Sequence, residues 1–133
     1  MRKTLWRAAK DDYIGQGFSF AESRDVAEFY LTNRGFGGPK LYRAKLDVDP
    51  GQVIDLTEMS CRQLSRKIGV QDPGAIGLDE WLPQSPEVLD ALRDSDFIWA
   101  LVRESYPEET TTWIWLGRTV EDMDIEPELV EII

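Results

Sequence analysis

A chain of 133 residues, 42% apolar and with five tryptophans, is one domain's worth and long enough to bury roughly two-thirds of its unfolded surface. A formal net charge of −10 argues against direct nucleic-acid binding and against an anionic membrane, and suits a soluble protein with a protein partner. The chain has no histidine and one cysteine, which excludes His-based acid–base catalysis, Ser–His and Cys–His nucleophiles, an intrachain disulfide and the usual zinc or iron–sulfur sites.

Taken in chain order, "TLWRA" (4–8) reads as a first strand, followed by the polar loop "KDDYIGQG". "GFSFAESRDVAEFY" (17–30) then reads as a short strand running into an amphipathic helix. Ser23 is its expected N-cap, and Val26, Phe29, Tyr30 and Asn33 fall on one face at helical spacing. "RGFGGPK" breaks that helix.

"LYRAKLDV" (41–48) alternates with period two, setting Leu41, Arg43, Lys45 and Asp47 against Tyr42, Ala44, Leu46 and Val48. "QVIDL" is a short apolar strand, and "TEMSCRQLSRKIG" is a helix expected to be capped near Thr57 and stopped at Gly69. Cys61 falls beside Leu64 and Ile68 and reads as a packing residue. "VQDPGAIGLDEWLPQ" reads as connection. "SPEVLDALRDS" is a helix with Ser85 as N-cap, Pro86 in its first turn and Val88, Leu89 and Leu92 inward.

Two strands follow, "DFIWALVRE" (96–104) and "TTTWIWLG" (110–117), with Trp113 and Trp115 as packing residues. The tail "DMDIEPELVEII" suits an edge strand interrupted by Pro127. The expected class is α+β: one domain over 1–133, with mainly antiparallel, strongly twisted sheets and inserted helices. No apolar run reaches the ~20 residues of a membrane span, and the basic N-terminus lacks a signal peptide's apolar core. A cytoplasmic location is expected.

Carboxylates, guanidinium groups, hydroxyls and aromatic rings remain for chemistry. That set suits displacement at a glycosidic carbon: a carboxylate stabilises developing positive charge, an Arg grips a pyrophosphate and an aromatic ring packs on a planar leaving group.

The ordered segments "TLWRA", "GFSFAESRDVAEFY", "LYRAKLDVDPGQVIDL" and "YPEETTTWIWLG" resemble the ADP-ribosyltransferase superfamily of the Arg–Ser–Glu type, and more distantly its small phage-type members, which include an anti-CRISPR enzyme. The resemblance implies an ADP-ribosyltransferase-like fold with an NAD cleft, and NAD as co-substrate without a metal. It also implies a toxin- or effector-like role as a mono-ADP-ribosyltransferase acting on a target protein.

On the matched positions, Arg7 would hold the NAD phosphates, with Arg43 in the similar "LYRA" as its rival. Ser19 would brace the nicotinamide–ribose pocket; Phe18, Phe20 and Tyr30 are the candidates to pack against nicotinamide, and since strand alternation sets Ser19 opposite Phe18 and Phe20, not all of them can face the ligand. Glu109, directly ahead of "TTTWIWL", is the first choice for the catalytic acid, with Glu108 and Glu104 as rivals. The sequence departs from the pattern after Ser19, where Phe20 and Ala21 stand in place of Thr or Ser and Ser, and at Ala8, where the family has Gly. An adjacent "EE" replaces the Glu-x-Glu of Arg-directed members. Two alternatives stand beside the transferase: an NAD glycohydrolase, and a non-catalytic acidic binding or inhibitor protein.

Overall fold

The computed structural model describes residues 1–32, 37–105, 108–117 and 127–132. Asn33, Tyr106, Pro107 and most of the acidic tail, all of which enter the sequence reading, lie outside the described residues.

The protein is α+β, and its seven described strands form one mostly antiparallel open sheet rather than separate sheets. In chain order they are β1 (Arg2–Ala9), β2 (Ser19–Ala21), β3 (Lys40–Asp47), β4 (Val53–Asp55), β5 (Trp99–Glu104), β6 (Thr110–Trp115) and β7 (Glu128–Ile132). The order across the sheet is β4-β5-β6-β2-β1-β3-β7. The pair β4–β5 is parallel; the other neighbours are antiparallel. The helices are α1 (Arg24–Thr32), α2 (Cys61–Ile68), α3 (Leu78–Trp81) and α4 (Pro86–Asp94).

Directly opposite residues of paired strands share a face. On one face, Ala100, Val102 and Ile114 pack with Leu64, Leu82, Val88, Leu89 and Leu92 from the helical segments after β4. Farther across that face Ala8, Ala21 and Leu41 meet Val26, Ala27 and Leu31 of α1. On the other face Trp99, Trp113 and Trp115 join Leu5, Ala44 and Leu46 in one cluster. Those residues come from strands separated by β2, so the sheet must curl over its own tryptophans, as right-handed twist allows.

Several sequence expectations are corrected here. The second helix is capped at Ser60, not near Thr57, because Ser60 and Gln63 complete a reciprocal capping box; Thr57 instead donates twice to Asp55. Gly69 ends the helix in the left-handed conformation (φ 76°), as expected. The segment read as connection contains α3 and a short 3-10 turn over Leu82–Gln84. Strand β5 starts at Trp99 rather than at position 96, since Asp96 turns the chain with φ 70°. The inward face of α1 is Val26, Ala27 and Leu31, with Phe29 only half-buried. Strand β7 lies at the sheet edge beyond β3, and Pro127 immediately precedes it.

Ser60→Ala removes one half of the capping box and is expected to lower stability by about 1 kcal/mol. Urea unfolding should show this as a lower midpoint at unchanged slope.

Candidate functional site

Strand β2 pairs with β6 along its whole length but with β1 only at Trp6–Ala21. The sheet therefore begins to open between β1 and β2, and a cavity of about 440 Å³ lies there. That volume falls within the range of small-molecule sites.

Arg7 sits at the opening. Its Nη1 donates to the Ser19 carbonyl at 2.7 Å, so a side chain takes over a carbonyl that a continuing β1–β2 ladder would have paired. Its guanidinium lies 4.4 Å from the centre of the Phe18 ring, and Tyr13 meets that ring edge-on at 5.7 Å. Burial pulls the Arg7 pKa down to about 10, partly offset by Asp11, so the group is still a cation at neutral pH. Its Nε is buried with no hydrogen-bond partner among the described residues.

Two carboxylates line this cavity: Asp11, which acts on Arg7, and Glu104. Pairing of Ser19 with Ile114, Ala21 with Thr112, Val102 with Thr112 and Glu104 with Thr110 puts Ser19, Ala21, Thr112 and Glu104 on one face. Ser19, Glu104 and Thr112 all line the cavity. Burial raises the Glu104 pKa above the ordinary carboxyl value, a hydrogen bond from the Thr112 side chain partly opposes it, and Asp79 at α3 adds to the rise. Thr112 is itself buried.

The sign of the resulting pH effect follows directly. Glu104 is ordinary in the unfolded chain and harder to ionise when folded. Its favourable contribution is therefore complete below the unfolded carboxyl pKa of about 4.3 and is lost as pH rises through the folded value. Glu104→Gln is expected to be more stable than the parent at pH 7, with the difference vanishing by about pH 4. Paired thermal melts across that range check it.

The other residues singled out from the sequence divide cleanly. Arg7, Ser19, Phe18, Phe20 and Tyr30 line the same cavity as Glu104. Phe20 is only 2% exposed and packs edge-on against Trp99, so it forms floor rather than an open ring surface. Arg43, Glu108 and Glu109 do not line it. Arg43 pairs with Glu128 at 2.9 Å and lies over Trp6. Glu109 is exposed and held by Arg103 at 3.1 Å; the same guanidinium reaches Glu58 at 2.8 Å.

Lys10, Asp11, Tyr13 and Thr112 line the cavity and are not singled out as site residues in the sequence reading. Thr112 was legible in part, since alternation with the packing residues Trp113 and Trp115 fixes which face it shares. The loop residues carry no such periodic signal. The cavity also depends on a glycine: a Cβ at Gly38 would collide with the backbone of Ala9, so the chain after α1 can lie against β1 only without a side chain there.

The cavity thus combines a buried guanidinium, a second cation at Lys10, aromatic rings and a desolvated carboxyl. Such a set can grip an anionic group, pack on a planar ring and stabilise positive charge. Among the described residues no helix is long and apolar enough to cross a membrane. Comparison with protein-family models, curated proteins and solved structures gave no match, so the functional reading rests on this chain's own residues and geometry.

Proposed function

We propose that the cavity is an NAD site on an ADP-ribosyltransferase-like fold, and that the protein is a mono-ADP-ribosyltransferase with a protein acceptor. The observation that carries this reading is that Arg7, Ser19 and Glu104, far apart in the chain, line one cavity in a protein without histidine. NAD would supply nicotinamide as a leaving group on a ribose carbon. Arg7 would bind phosphate oxygens, with Lys10 as the second cation at the cavity. The Phe18 and Tyr30 rings would flank the planar end, and Ser19 would brace the ribose. Glu104, rather than Glu109 or Glu108, would stabilise the positive charge that develops as nicotinamide departs, and would orient the acceptor.

The test is incubation with NAD labelled in its adenosine half and a cell lysate. A labelled protein band is expected with the parent chain and with Glu109→Gln, and is expected to vanish with Glu104→Gln. Nicotinamide release without any labelled protein would make the chain a glycohydrolase. No thermal stabilisation at millimolar NAD would reject the NAD site and leave an acidic binding protein.

A further inference from the structure

Four charged residues line the cavity: Arg7, Lys10, Asp11 and Glu104. Asp11 is the carboxylate that acts on Arg7. Glu104 is approached by Thr112 and Asp79 and by no cation. The guanidinium of the adjacent Arg103 is committed to Glu58 and Glu109, as alternation along β5 requires. The cavity therefore offers two cations, Arg7 and Lys10, together with Asp11, and a half-buried Glu104 carboxyl without an ion-pair partner among the described residues. A carboxylate in that state lacks a positive partner, and a ligand that brings one relieves it.

An oxidised nicotinamide dinucleotide carries both kinds of charge, an anionic central diphosphate and, one ribose away, a cationic ring. The reduced form keeps the diphosphate and has a neutral ring. We propose that Glu104 is a specificity-determining residue that selects the oxidised, cationic dinucleotide over the reduced one at the binding step. This rests on the NAD reading above. It adds that discrimination is electrostatic and precedes any bond cleavage, which leaves the site open in the presence of the reduced dinucleotide.

The experiment is isothermal titration with three probes: carba-NAD, whose ribose ring oxygen is a methylene so that the cationic ring stays attached, NADH, and ADP-ribose. The parent chain is expected to bind carba-NAD about tenfold or more tightly than NADH, the scale of a close charge pair. In Glu104→Gln the two affinities are expected to converge to within about twofold, with NADH binding no weaker than in the parent. Equal affinities in the parent, or a preference that survives in Glu104→Gln, overturn the inference. Equal affinities in the parent overturn the inference whether or not the variant folds. Binding of ADP-ribose and NADH with no preference for carba-NAD would leave the dinucleotide site standing and sink only the selection. Binding of none of the three would sink the site itself.

Discussion

Glu104→Gln is expected to lower nicotinamide release from NAD by about 10²–10³-fold, the usual consequence of removing one preorganised group aimed at developing charge. Gln keeps the length and one oxygen able to accept from Thr112, turns the other into an N–H donor and removes the negative charge, so a large effect reports chiefly electrostatics. The same change is expected to leave the fold intact and to stabilise it at neutral pH, because burial already resists the charged form of Glu104. Lost activity together with gained stability is the signature of a carboxylate kept for chemistry. Steady-state release of nicotinamide and a thermal melt on the same preparation check both halves. Glu109→Gln is the control: the Glu109 side chain is 70% exposed and outside the cavity, so its release rate should stay within about twofold of the parent, an exposed ion pair contributing little. A loss confined to Glu109→Gln would return the catalytic assignment to that residue.

The second large effect is expected at Arg7. Arg7→Lys should weaken dinucleotide binding by about 10²-fold, because a point-charge ammonium cannot make the forked contacts of a guanidinium or stack on Phe18 in the same way. The Ser19 carbonyl also loses its 2.7 Å donor, which loosens the junction between β1 and β2. A part-buried carbonyl left without a donor loses a hydrogen bond of about 1 kcal/mol, so the variant should also melt earlier. Arg43→Lys, whose side chain lies outside the cavity and pairs with Glu128, should leave dinucleotide affinity near the parent value. Titration with ADP-ribose separates the two variants without turnover. Equal weakening in both would mean that the phosphate grip does not reside at Arg7.

The two variants also mark the boundary between what could be read in one dimension and what could not. Period-two alternation in "LYRAKLDV" placed Leu41 and Ala44 on opposite faces, and the structure has them in different clusters. The helix start at Ser85–Pro86 and the Gly69 stop hold as local effects of φ preference, although the Ser85 side chain makes no capping hydrogen bond. The N-terminus of α2 was misplaced because two capping signals compete within four residues, and Gln63 decides for Ser60. The start of β5 was misplaced because nothing in "DFIW" announces the left-handed turn at Asp96.

By itself, then, the sequence determined the α+β class, the order of the strands and of the helices other than α3, the inward face of α4 and a chemistry confined to acids, guanidinium groups, hydroxyls and rings. These follow from side-chain identity and periodicity within a few residues. Which acid stands in the same cavity as Arg7 was decided only by tertiary structure. Glu104, Glu108 and Glu109 lie within six positions of one another, and their separation depends on the β5–β6 register and on where β2 leaves β1. Register is a property of two strands together, and a shift of one residue sends every side chain to the other face.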